Sequence, residues 1–150
     1  MLSRFVILVC TTCALLSLEP VTAEDTESLI LRPNDRLVLC GDSITSINKY
    51  AVELAYYIEA CRPDLGVRCY QNAVSGESTE RFLGRIDSNC IELWRPTVVT
   101  ISYHNDSRLD SDIAKAGERY RNNLNQVIDR FGKNDCRVIL ASSAILGPSW

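Results

Sequence analysis

Three short polar segments hold the residues able to do chemistry: Gly41-Asp42-Ser43-Ile44-Thr45, Asn72-Ala73-Val74-Ser75-Gly76-Glu77-Ser78-Thr79 and His104-Asn105-Asp106-Ser107. Each follows a stretch that reads as a strand. A serine directly after a strand, at the start of a turn into a helix, has its hydroxyl held at the sheet edge and its own N–H facing the cleft. Ser43 meets that placement. An attacked ester carbonyl gathers negative charge on its oxygen. Donors from separate loops stabilise that charge, here the backbone N–H groups near Ser43 and Ala73 and the side-chain amide of Asn105. The G-x-S-x-G elbow of ordinary α/β-hydrolases is absent from both Gly41–Thr45 and Gly76–Glu80.

His104 is the only histidine. In an extended segment its side chain projects to the side opposite that of Asn105, which places it as a partly exposed loop residue rather than a general base. Asp42 is expected to anchor the turn or helix start, and Asp106 to serve as a turn or cap residue, rather than to move protons. Ser43 itself would also suit a turn or helix cap. Asn105-Asp106-Ser107 matches a glycosylation sequon, but an amide at the mouth of a sheet is a poor acceptor.

The elements that must position these residues are legible from periodicity. Arg36–Cys40 and Val67–Gln71 read as strands, and Thr97–Tyr103, β-branched and free of charge, as a central strand covered on both faces. Arg137–Ala141 gives a fourth. Between them, Tyr50–Cys61 carries Ala51, Leu54, Ala55, Ile58 and Cys61 on one helical face, and Thr79 to about Asn89 carries Phe82, Leu83 and Ile86. A third helix presents Ile113, Ala116, Tyr120, Leu124, Val127, Ile128 and Phe131 at three- and four-residue steps, with Gly132 as its stop. The order βαβαβαβ predicts a parallel sheet with right-handed crossovers and helices on both faces. In such sheets ligands bind beyond the carboxyl ends of the strands, where the three polar segments fall.

Leu37-Val38-Leu39-Cys40-Gly41-Asp42-Ser43-Ile44-Thr45, then Val74-Ser75-Gly76-Glu77-Ser78, then Asn105-Asp106 after a strand, resemble the first three sequence blocks of the GDSL-type (SGNH) hydrolases. The resemblance spans about Arg36 to Ser143. It implies a flavodoxin-like three-layer αβα sandwich of which about four strands are present, and a serine esterase or lipase activity without metal or organic cofactor. Position by position, Ser43 matches the nucleophile and first oxyanion donor, Ala73 the glycine donor of the second block, and Asn105 the side-chain donor of the third. Two departures stand out. Ala73 adds a Cβ that is costly wherever φ must be positive, and Tyr103 replaces the glycine of the G-x-N-D block, where a phenol would narrow the cleft or redirect the strand. The family's D-x-x-H block, which carries its histidine base, does not occur in these 150 residues.

A net charge of −3 and a pI near 5.2 exclude a phosphate-backbone binder, which needs a dense cationic face. Residues 1–23 have the pattern of a secretory signal. Met1–Arg4 is positive, Phe5–Leu18 is apolar yet shorter than the ~20 residues of a membrane span, and Val21-Thr22-Ala23 suits cleavage after Ala23. The expected organisation is therefore a signal peptide (1–23), a linker (24–34) and a C-terminally incomplete hydrolase domain (35–150), secreted or periplasmic. Cleavage removes Cys10 and Cys13 and leaves Cys40, Cys61, Cys69, Cys90 and Cys136 bound for an oxidising compartment. Cys40, inside an apolar run, reads as a core residue. Cys61 and Cys69 flank a short connection and are a candidate bridge, although spacing does not show whether their Cα atoms come within range.

The expected activity is hydrolysis of O-acyl esters, with carbohydrate O-acetyl groups as one substrate class, slow or absent in the 150-residue chain without its histidine base. The alternatives are a non-catalytic secreted module that holds a glycan or acyl group in the same cleft, and a fragment of a longer reading frame. A nucleotide-binding role is disfavoured because no glycine-rich phosphate loop follows the first strand.

Overall fold

The apolar run after Arg36 has no polar alternation, so its strand must be covered on both faces. In the computed structural model, which describes residues 30–106 and 111–141, Leu37, Val38, Leu39 and Cys40 are all buried in strand β1 (Arg36–Gly41). The expected signal, most of the expected linker, Ser107 and the tail beyond Ala141 lie outside the described residues.

β1 is followed by a one-turn helix α1 (Ser43–Ser46), helix α2 (Lys49–Cys61) and edge strand β2 (Arg68–Ala73). Next come helix α3 (Thr79–Leu83), a π-helical turn (Asp87–Ile91), α4 (Glu92–Trp94), β3 (Val98–Ser102), α5 (Ile113–Gly132) and β4 (Arg137–Leu140). The sheet order is β2-β1-β3-β4, with every pair parallel. This is the doubly wound order of a flavodoxin-like sheet. Val38, Cys40, Val99 and Ile101 face a core built with Phe82, Ile86, Cys90, Val127 and Phe131, while Leu37, Leu39 and Val98 pack on Ala51 and Ile58 of α2. Strand alternation therefore separates two cores and makes three layers.

The elements differ from expectation in their joints. The helix expected over Thr79–Asn89 ends at Leu83, and a π-helical turn carries the chain on to Trp94. Phe82, Ile86 and Cys90 nevertheless all stay fully buried on the core side. Trp94 packs on the ring of Tyr70 at 4.8 Å. Ile113 is exposed, because the buried stripe of α5 begins a turn later, at Ala116. Gly132 does not stop α5 by a left-handed turn. Asp135 makes the reversal instead, at φ 52°, in a region that short polar side chains tolerate. Cys61 is exposed and Cys69 half-buried on the edge strand, and both are free thiols with no bridge between them.

Candidate active site

Parallel register fixes where the polar segments leave the sheet. Gly41 pairs with Ala73 on β2 and with Ser102 on β3, so all three segments emerge at one level. No side chain fits at Gly41: a Cβ there would lie 2.1 Å from Thr45 Oγ1 and 2.7 Å from the Ser102 carbonyl. That close approach lets α1 fold back over the strand end. Thr45 is buried, shares a 2.8 Å hydrogen bond with the Tyr50 hydroxyl, and its carbonyl accepts from Gln71 Nε2.

Asp42 is the joint between the first and third segments. Its carboxylate is buried and caps α1 by accepting from the Ile44 N–H at 3.1 Å. The other oxygen, Oδ2, accepts from the His104 N–H at 2.8 Å and from Asn105 Nδ2 at 3.1 Å. The sequence predicts the helix-start role and gives no sign of the cross-strand one. His104 Nδ1 lies 3.5 Å from the same oxygen. The expected opposition of the His104 and Asn105 side chains therefore fails, because β3 ends at Ser102 and strict alternation ends with it.

Ser43 is the first residue of α1 and is half-buried. Its N–H stands at a position with no acceptor four residues back. Among the described residues no group hydrogen-bonds its hydroxyl. Asn105 Nδ2 spends one proton on Asp42 and the other on the Glu77 carbonyl at 3.3 Å. An oxyanion at Ser43 would have to draw one of these protons away, and the longer bond to Glu77 is the weaker competitor. Asp106 turns away from Ser43. Buried, it accepts from the Thr79 N–H at 3.0 Å and from the Thr79 hydroxyl, so it fastens the third segment to the start of α3.

Ala73 does not occupy the place expected of it. Arg68 and Val74 donate their N–H groups to Asp35 and Gly41 on the β1 side. Residues of the opposite parity on β2, Ala73 included, therefore direct theirs toward the open sheet edge, away from Ser43. The concern over its Cβ also lapses, since Ala73 is not among the residues at positive φ. The residue overlooked is Gly76. It occupies the third position of a turn closed by the Glu77 N–H to the Val74 carbonyl, at φ 74°, where only glycine is unstrained. Asn105 reaches the neighbouring Glu77 carbonyl, which brings this turn beside the third segment. The signal was present as the Ser75-Gly76 pair within the second segment.

Beneath these loops lies a buried polar network that the spacing did not announce. Glu77 is gripped by Arg85 through two 2.6 Å bonds and receives the Tyr103 hydroxyl at 3.0 Å, while Arg85 also reaches Asn72 Oδ1. Burial pushes the Tyr103 phenol far above its ordinary range, so it stays protonated and able to donate to Glu77. Tyr103 thus neither narrows the cleft nor diverts the strand. It is turned into the core and stacks on Phe82 at 5.1 Å. Because the Glu77 charge is neutralised from below, its carbonyl can hold Asn105 without setting a free anion beside the oxyanion position. Among the described residues no group of three or more His, Cys, Asp or Glu side chains is placed to hold a metal ion. No helix among them is long and apolar enough to cross a membrane.

Sheet order and layers define an α/β three-layer fold like that of the GDSL-type hydrolases. Among solved structures the chain resembles an acetylxylan esterase from Geobacillus stearothermophilus, at 20% identity and a TM-score of 0.64, over 75% of this chain and 61% of that one. It also resembles a protein described as a GDSL-like lipase from Parabacteroides merdae, at 19% identity and a TM-score of 0.62, over 73% and 60% respectively. The chain thus spans about three-fifths of the length of these structures. No protein-family profile and no curated protein matches it.

Proposed function

We propose that this chain is a secreted serine esterase domain of the GDSL/SGNH type acting on O-acyl esters, including O-acetyl groups of carbohydrates. The observation that carries the proposal is the Asp42 carboxylate, which joins the turn bearing Ser43 to Asn105 at the carboxyl ends of two central strands. The acetylxylan esterase of the same fold supports the choice of substrate class, and variants of it at a serine, an aspartate and a histidine are described as catalytic mutants.

In this mechanism the Ser43 Oγ attacks the ester carbonyl. The Ser43 N–H, the Gly76 N–H and Asn105 Nδ2 hold the resulting oxyanion, and water then releases the acyl group. Asp42 positions two of those three donors and takes no proton. A histidine base must relay the Ser43 proton to the leaving alcohol. No D-x-x-H segment lies within these 150 residues, so the chain alone turns over slowly and gains rate from added imidazole. The test is p-nitrophenyl acetate hydrolysis with Ser43→Ala as control: a Ser43-dependent rate supports the proposal, and equal rates for the two proteins reject it.

A second reading, a secreted module that holds a glycan or acyl group without turnover, draws support from the double engagement of the Asn105 amide. Calorimetric glycan binding that survives Ser43→Ala, without esterase activity, would select it.

A further inference from the structure

We propose that Cys40 and Cys90 form a disulfide that fastens the strand bearing the Ser43 turn to the π-helical turn on the opposite side of the core. Their Sγ atoms lie 3.8 Å apart, and both side chains are fully buried in one cluster with Val38, Phe82, Ile86 and Val99. A disulfide brings sulfurs to about 2.0 Å, so closure asks each sulfur to move by roughly 1 Å. A sequence separation of 50 makes this a long-range clip.

The surroundings single out this pair. Cys90 belongs to the π-helical turn Asp87–Ile91, a local change of helix register of a kind frequent at functional positions. Cys136, the third thiol of the cluster, directs its sulfur to the Arg137 carbonyl at 3.7 Å. Cys61 and Cys69 are free thiols that lie outside this cluster. Burial pushes the Cys40 thiol well above its ordinary value.

One of the two thiols, as its thiolate, displaces one thiol from a low-molecular-weight disulfide such as glutathione disulfide, giving a mixed disulfide. The other protein thiol then gives up its proton and attacks the protein sulfur of that mixed disulfide, releasing the second thiol. The two protein thiols lose two electrons and two protons, and the glutathione disulfide gains both as two thiols. Both sulfurs are closed to solvent in the folded chain, so exchange takes place during folding or through local opening of the π-helical turn. This inference rests on the proposed secretion, since such a bridge persists in an oxidising compartment, and not on esterase activity.

The test is to refold the full 150-residue chain in a glutathione/glutathione disulfide buffer, trap free thiols with N-ethylmaleimide, and map peptides without reduction. The expected result is a Cys40 peptide joined to a Cys90 peptide, formed equally in Cys136→Ala, with Tm about 10 °C above that of the reduced protein. Recovery of Cys40 and Cys90 as alkylated thiols, a bridge from either to another cysteine, or refolding only under reducing conditions would overturn the inference.

Discussion

Two buried aspartates bracket β1, Asp35 before its first residue and Asp42 after its last, and they are satisfied in opposite ways. Asp35 meets a cation. Its carboxylate accepts from the Arg32 N–H at 2.6 Å and the Thr97 hydroxyl at 2.7 Å, and pairs with the Arg137 guanidinium at 2.5 Å, which ties β4 to the head of the sheet. Asp42 meets two backbone N–H groups, an amide and an imidazole nitrogen, and no guanidinium among the described residues. A full ion pair suits an end of the sheet that only has to hold together. Hydrogen bonds from backbone and amide donors suit the other end, where they hold the turn bearing Ser43 against the segment bearing Asn105.

The comparison breaks most visibly by truncation. Asp35→Ala leaves a partly buried guanidinium unpaired and costs about 3 kcal/mol in urea unfolding, with ester turnover per folded molecule unchanged. Asp42→Ala costs about 2 kcal/mol for the lost cap and unpaired donors, and turnover falls about tenfold or more as Asn105 loses its anchor. Equal losses of turnover in the two variants would erase the distinction. A smaller effect separates the two glycine-like positions of the second segment. Gly76→Ala strains a left-handed turn by about 1 kcal/mol and depresses kcat, whereas Ala73→Gly leaves kcat within about twofold. The opposite ranking would restore Ala73 as the donor.

The smallest effect is one of pH. Burial pushes the Asp35 carboxyl up, but the Arg32 N–H, the Thr97 hydroxyl and the Arg137 guanidinium outweigh it and hold the group below its ordinary 3.8. A group depressed in the folded state stabilises fully above its unfolded value, about 4, and loses that contribution as pH falls through the lower folded value. Asp35→Asn should therefore flatten the acid limb of the stability curve by thermal melts, and an unchanged limb would discount the pair.

How much of this was legible in the sequence follows from which physical variable each feature depends on. β1 and β3 were readable because burial on both faces demands unbroken apolar runs, and the place of Ser43 at the end of β1 because the Gly-Asp-Ser turn directly follows such a run. Asp42 was only half readable, since capping is local and its bonds to His104 and Asn105 span the sheet. Ala73 failed because the direction of its N–H depends on the parity of the ladder, which spacing does not reveal. Tyr103 looked like an obstacle to the cleft for want of its partner, Glu77, and Glu77 looked like a loop residue for want of Arg85. The contact between Cys40 and Cys90 depends on a π-helical turn that periodicity read as ordinary helix.

The central claim is that Ser43 is a nucleophile held beside its oxyanion donors. The most direct measurement is acid-quenched incubation of the chain with p-nitrophenyl acetate in the presence of imidazole, followed by peptide mass mapping. The account predicts one acetyl group on the peptide carrying Ser43, lost in Ser43→Ala. Acetylation confined to lysines, or a pattern unchanged by Ser43→Ala, would contradict it.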